Sequence, residues 1–173
     1  MTAPEFPAGS FEPELKLTPA RRIELIREIE AAPAHLRSAV AGLIDTQLNA
    51  LYRNWSIRQI AQHLADSHVN CYVRFKLTLT EDHPTIKPYF EGRWVELADS
   101  KTGDVALPLA LLAAVHASWV CVMRAMTEDQ FARTFHHPES GATVSLNDAV
   151  ATYAWHGRHH VGQIRWLREK HGW

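Results

Sequence analysis

Apolar positions recur at helical spacing in four stretches of the chain, and prolines and glycines punctuate the segments between them. The first 17 residues hold several prolines and no periodic pattern, which predicts an extended arm (1–17) lying on the domain or on a neighbour. Thr18 then serves as an N-cap, with Pro19 at the first helical position, where its missing N–H costs nothing. Ile23, Ile26 and Ile29 follow at helical spacing until Pro33 interrupts, and a second short piece runs around Leu36, Val40 and Leu43. Ser56 opens the next helix: Gln59 three residues on completes a capping box, and Trp55 staples onto Ile60. The stripe Ile57, Ile60, Leu64, Cys71, Phe75 and Leu79 predicts a helix over 56–80.

Residues 81–105 read as irregular, with Pro84, Pro88, Gly92 and Gly103, and carry Tyr89, Phe90 and Trp94, a substrate lid or simply a packed loop. A third long helix begins near Pro108 and runs through Leu112, Val115, Trp119, Val122 and Met126. FARTFHHPESGATVS alternates and turns at Pro138 to Gly141, predicting a small hairpin. Ser145 with Asp148 then caps a last helix marked by Leu146, Val150, Tyr153, Ile164 and Leu167, with basic residues in its final turns and Gly172 at its stop. Four principal helices joined by short connections predict an all-α four-helix bundle, with a short hairpin before the last helix, as one domain over 18–173.

Composition narrows the class. With 173 residues, 46% hydrophobic, 21% charged and a formal net charge of −1, the chain is globular and carries no polyelectrolyte footprint for nucleic acid. Nowhere do about 18 or more apolar residues run together without a break, and the N-terminus lacks the pattern of a signal peptide, so neither a membrane nor a nucleic acid is expected as a partner. Cys71 and Cys121 are widely separated and fit a reducing cytoplasmic compartment; both fall at apolar helical positions, where buried small hydrophobes are commoner than ligands. The anomaly is histidine, at 11 residues against 8 Gly.

The segment Trp155-His156-Gly157-Arg158-His159-His160 is chemically the loudest. His156 and His160 are four apart on a helix, so they differ by about 40° in azimuth and about 6 Å in rise, a chelating arrangement. His160 lies in the seam of Tyr153 and Ile164, which turns the pair inward; His159, rotated by about 100°, is expected to face outward. A third ligand has to come from another helix. His63 is the leading candidate, bordering an apolar stripe and followed by a polar strip of Ser67, Asn70 and Arg74, and His116 is its rival or a supporting partner. His68, His83, His136, His137, His35 and His171 read as surface or loop residues.

Three neutral imidazoles leave a divalent ion its full charge and an open position, the pattern of a catalytic rather than a closed structural site. Zinc is the default, with nickel or iron compatible. Where a zincin would place Glu after its first helical His stands Gly157, so no protein base is supplied there; Asp66, three residues beyond His63, is the candidate catalytic residue, or else a solvated helix residue. That gap favours chemistry in which the metal prepares the nucleophile, water or a thiol. A non-catalytic small-molecule sensor, or a bundle with a structural metal, is the competing class.

These residues resemble the DinB-like superfamily, specifically its YfiT-like members, described as metal-dependent hydrolases and related to bacillithiol S-transferases. The matching stretches are WSIRQIAQHLADSHVNCYVRFKLTLTE (55–81), PTIKPY (84–89), the Trp-x-x-Leu-x-Asp-Ser of Trp94 to Ser100, and YAWHGRHHVGQI (153–164). The resemblance implies a four-helix bundle, often a homodimer, with zinc or nickel on one His of the second long helix and two of the last. Those positions are His63, His156 and His160, while Gln62 and Gln163 stand where relatives show further histidines. It also implies a small-molecule substrate, with low-molecular-weight thiols as co-substrates in some relatives, and leaves the reaction open.

Overall fold

The structure is a computed structural model that describes residues 2–14 and 16–173. In chain order its elements are α1 (Pro19–Val40), α2 (Asp45–Leu48), β1 (Leu51–Tyr52), β2 (Trp55–Ser56), α3 (Ile57–Thr80), α4 (Glu91–Trp94), α5 (Ala98–Lys101), α6 (Ala106–Ala125), α7 (Glu128–Ala132), β3 (Thr134–His137), β4 (Ala142–Ser145) and α8 (Leu146–His171). The long helices α1, α3, α6 and α8 form the bundle. Both α1 and α3 pack against α6 and α8, so the ring runs α1–α6–α3–α8. The two strand pairs are antiparallel hairpins, the larger with Thr134 opposite Ser145.

The expected caps are in place. Thr18 accepts from the Arg21 N–H, and Ser56 and Gln59 close a reciprocal box, with Gln59 Oε1 2.9 Å from the Ser56 amide. Ser145 and Asp148 do the same for α8, and Gly172 ends it at a φ of +71°. Residues 81–105 are less irregular than the prolines suggested. They hold the single-turn helices α4 and α5 and bury Pro84, Ile86, Val95 and Ser100.

Pro33 does not end the first helix: α1 continues through it to Val40. A proline inside a helix has no N–H to give to the carbonyl four residues back, here that of Ile29. The bundle supplies a substitute, because His116 Nδ1 of α6 donates to the Ile29 carbonyl. The helix survives its proline because another helix satisfies the acceptor that the proline leaves bare.

The apolar core is split into two clusters. One gathers Ile29, Cys71, Phe75, Trp119 and Ala154, the other Leu36, Leu64, Leu112, Val161 and Ile164. On each long helix the residues between the clusters are polar or unusual: Pro33 on α1, His68 on α3, His116 on α6, and His156 to His160 on α8. The helix α6 is long and apolar enough to cross a membrane, yet its Leu112, His116 and Trp119 are buried within the bundle.

The N-terminal segment lies on the domain. Tyr52 donates to the Pro4 carbonyl, Trp155 Nε1 donates to the Gly9 carbonyl at 2.9 Å, and Phe6 and Phe11 pack on Trp155. Two glycines inside α8 mark close approaches. A Cβ at Gly157 would stand 3.4 Å from the Ala32 Cβ of α1, and one at Gly162 would meet Pro7 at 3.3 Å. Gly157→Leu is therefore expected to force α1 and α8 apart and to cost about 1–3 kcal/mol in urea unfolding. Wild-type stability in that variant would mean that the helices do not depend on the close contact.

Candidate metal centre

Ser56 starts α3 so that His63 falls two turns in, buried, facing α8. On α8 the four-residue spacing stacks His156 and His160 on the same side. His156 Nε2 lies 3.3 Å from His63 Nε2 and 3.1 Å from His160 Nε2, and one nitrogen from each ring falls within 4.8 Å of the others. His63 and His160 are buried, whereas His156 keeps partial exposure and forms part of the wall of a cleft of about 590 Å³. Ser67, Arg74, Tyr89, Phe135 and Tyr153 line the same cleft.

Burial holds these rings uncharged, because a desolvated imidazolium is costly. His63 is pushed down to about 4, and His156 and His160 lie well below the ordinary histidine value, with neighbouring imidazoles adding to the effect. Gln163 fixes one ring: His160 Nδ1 donates to Gln163 Oε1 at 2.8 Å, and the Gln163 amide donates to His159 Nε2 at 2.9 Å. With its proton on Nδ1, neutral His160 presents a bare Nε2 to the other two rings. His63 Nδ1 has no hydrogen-bond partner, and its ring is placed by Trp55, whose ring centroid is 4.7 Å away.

A converging set of uncharged nitrogen donors at near-contact distance suits a divalent cation of the zinc, nickel or iron type. Asp66 does not line the cleft, though it lies close enough to act on Tyr89 of its wall. It accepts from Gln62 Nε2 at 2.9 Å, and burial and the nearby Asp99 push its carboxyl up. His116 is no ligand to this set, since its two nitrogens are taken by Ile29 and His68.

Three expectations are corrected. His68 is fully buried rather than a surface residue, and its ring lies between those of His116 and His156. The signal was in the spacing: Leu64, His68, Cys71 and Phe75 follow one another by four, three and four along the stripe. His159 is buried too, because the N-terminal segment covers it: Phe6 packs on it and Trp155 stacks against it at 4.8 Å. Cys121, unlike Cys71, is exposed, on the side of α6 turned away from Trp119.

The sequence profile of the DinB superfamily matches residues 28–164. The chain belongs to the DinB superfamily. This superfamily member is 42% identical over 170 residues to YfiT of Bacillus subtilis (strain 168), covering 97% of this chain and 96% of that protein. A protein of Bacillus cereus (strain 03BB102) that bears the name putative metal-dependent hydrolase is also 42% identical over 170 residues, 97% of each chain. The solved structure of B. subtilis YfiT, described as a probable metal-dependent hydrolase with an unusual four-helix bundle topology, superposes with a TM-score of 0.94 over 97% of both chains. A mycothiol-dependent maleylpyruvate isomerase shares the fold at a TM-score of 0.64 and 17% identity, over 81% of this chain and 59% of that one.

The buried rings tie stability to pH. His63 and His116 titrate at about 4 in the folded chain, and His68, His156 and His160 are lowered as well, against about 6.5 when unfolded. The unfolded chain therefore binds more protons below about pH 6.5, so stability is full above that value and is lost as the pH falls toward about 4. The metal-free protein is expected to lose melting temperature steeply from about pH 7 to about pH 5 in scanning calorimetry, with several protons taken up per molecule unfolded. A flat profile would show that the imidazoles are not buried in their neutral form.

Proposed function

We propose that this DinB-superfamily chain is a metal-dependent enzyme whose ion is held by His63, His156 and His160, and that a small-molecule substrate reaches it through the cleft beside His156. The observation that carries this reading is the convergence of three uncharged imidazoles on one point at the edge of that cleft. When bound, a divalent ion supplies charge that lowers the pKa of coordinated water to about 7 or deprotonates a coordinating thiol. Zinc is the ion of first choice, with nickel or iron also suited to imidazole.

The chain's own residues bind and orient. Arg74 projects into the cleft with its Nε buried and unpartnered, and among the described residues no carboxylate lies within ion-pair distance of it. Its Nη1 is 3.5 Å from the Tyr153 hydroxyl, so guanidinium and phenol together offer donors to an anionic or carbonyl group of a substrate. Burial pushes the Tyr153 phenol strongly up, which keeps it a donor at neutral pH.

Between hydrolysis and thiol transfer, the lining beside His156 favours the thiol. Ser67, Arg74 and Tyr153 are not proton acceptors at neutral pH, so water would have to draw on Glu91, His137 or Glu139 of the same cleft, whereas a thiolate needs no further base to attack an electrophilic carbon.

Metal analysis tests the centre: wild type is expected to hold about one equivalent of zinc after loading and His156→Ala far less, whereas equal content would overturn the ligand assignment. Thiol transfer is expected to appear as thiol-dependent consumption of a bimane electrophile by the zinc-loaded protein across a panel of low-molecular-weight thiols. No acceleration with any of them would remove that branch and leave hydrolysis.

A further inference from the structure

Two buried histidines, His68 and His116, take no part in the proposed ligand set. They are joined in a line that starts on a backbone carbonyl and ends on a ligand. His116 Nδ1 bonds the Ile29 carbonyl, His116 Nε2 lies 2.7 Å from His68 Nδ1, and His68 Nε2 lies 3.2 Å from His156 Nδ1.

Donor and acceptor roles along this line have one solution. A carbonyl only accepts, so the proton of His116 is on Nδ1. A neutral ring carries one proton, which leaves His116 Nε2 an acceptor and requires His68 to donate from Nδ1. His68 Nε2 is then an acceptor in turn, and His156 donates to it from Nδ1. Three singly protonated rings provide one proton for each of the three hydrogen bonds along the line. The end of the line is a His156 whose Nε2 is bare and aimed at His63 and His160.

Pro33 leaves the anchor uncontested. Had residue 33 an N–H, the Ile29 carbonyl would be its ordinary helical acceptor; without one, the carbonyl is free for His116. A line ending on a peptide carbonyl does not pass a proton onward, so it acts as a lock and not as a wire.

We propose that His116 and His68 are positioning residues that fix His156 in its Nδ1-protonated tautomer, so that its Nε2 lone pair faces the three-imidazole site before any ion arrives. The effect on affinity rests on the metal reading given above, whereas the tautomers themselves do not. Such outer partners of a ligating histidine set its orientation and basicity and are worth about 10–100-fold in metal affinity.

The test uses histidine labelled with ¹⁵N in the metal-free full-length chain, where long-range ¹H–¹⁵N correlation reports which nitrogen carries each proton. His116, His68 and His156 are all expected to be protonated on Nδ1; a proton on Nε2 of His68 or His156 overturns the proposal. His116→Leu is expected to give His156 a mixture of tautomers and to weaken zinc binding about 10–100-fold in chelator competition. His116→Gln should restore both, since its amide donates to Ile29 and its carbonyl accepts from His68. A His116→Leu protein with a single His156 tautomer and wild-type zinc affinity overturns the lock, as does a His116→Gln protein no better than His116→Leu. If His116→Leu does not fold, the wild-type tautomers and the Gln variant decide. The two readings fail separately: the stated tautomers without zinc binding would sink the metal centre and keep the lock, and zinc binding with His68 protonated on Nε2 would do the reverse.

Discussion

Five imidazoles occupy one level of a four-helix bundle, and the need to give their ring nitrogens partners organises what surrounds them. A buried polar group left unpaired costs about 1–3 kcal/mol, so a layer of His63, His68, His116, His156 and His160 would unfold an ordinary bundle if their nitrogens were left to apolar neighbours. Here most of these nitrogens are satisfied by one another, by Gln163 and by the Ile29 carbonyl. Four remain: His63 Nδ1, which has no partner, and the Nε2 atoms of His63, His156 and His160, which are turned on each other. Three of these four thus meet at a single point, where a cation would satisfy them.

The two apolar clusters on either side of the layer do a separate task. Each is built from residues of all four long helices, so the bundle is clamped on both sides of its polar level. The clamping lets α1 carry a proline and α8 carry Gly157 at the same height without losing either helix. The proline serves the layer by leaving a carbonyl for His116, and Gly157 faces Ala32 of α1 where the two helices pack. One side of the layer is sealed by the N-terminal segment over Trp155 and His159, while the cleft beside His156 and Tyr153 stays open.

Local signals carried most of the architecture into view in the sequence. Capping boxes at Ser56 and Ser145 and stripes spaced by three and four are short-range features, and they located α3 and α8 to within a residue. The inward pair His156 and His160 was legible for the same reason, since one helical turn fixes its geometry. What stayed hidden depends on contacts between helices. Pro33 reads as a stop until His116 is known to serve the Ile29 carbonyl, and His159 reads as exposed until the arm is seen to cover it. His68 is the instructive case, because its place on the stripe was visible and only its residue type argued for the surface: a polar side chain on a core stripe is better read as a member of a buried network.

The three imidazoles of the centre are held by unlike means. His160 is oriented by the Gln163 amide and His156 by a neighbouring ring, so both have a proton committed elsewhere and a lone pair turned inward. His63 Nδ1 has no such partner, and packing takes the place of hydrogen bonding: Trp55 lies against its ring and stacks over His160 as well. Trp55 is in turn fixed by the β1–β2 hairpin and by the capped start of α3, the most strongly signalled local feature of the chain. The position of His63 therefore depends on a turn and a cap two helical turns away, and that of His156 on a line of rings anchored on a carbonyl of a different helix. Neither dependence is visible in the three side chains themselves, and each is a physical reason why a centre of this kind needs the whole bundle and not only its histidines.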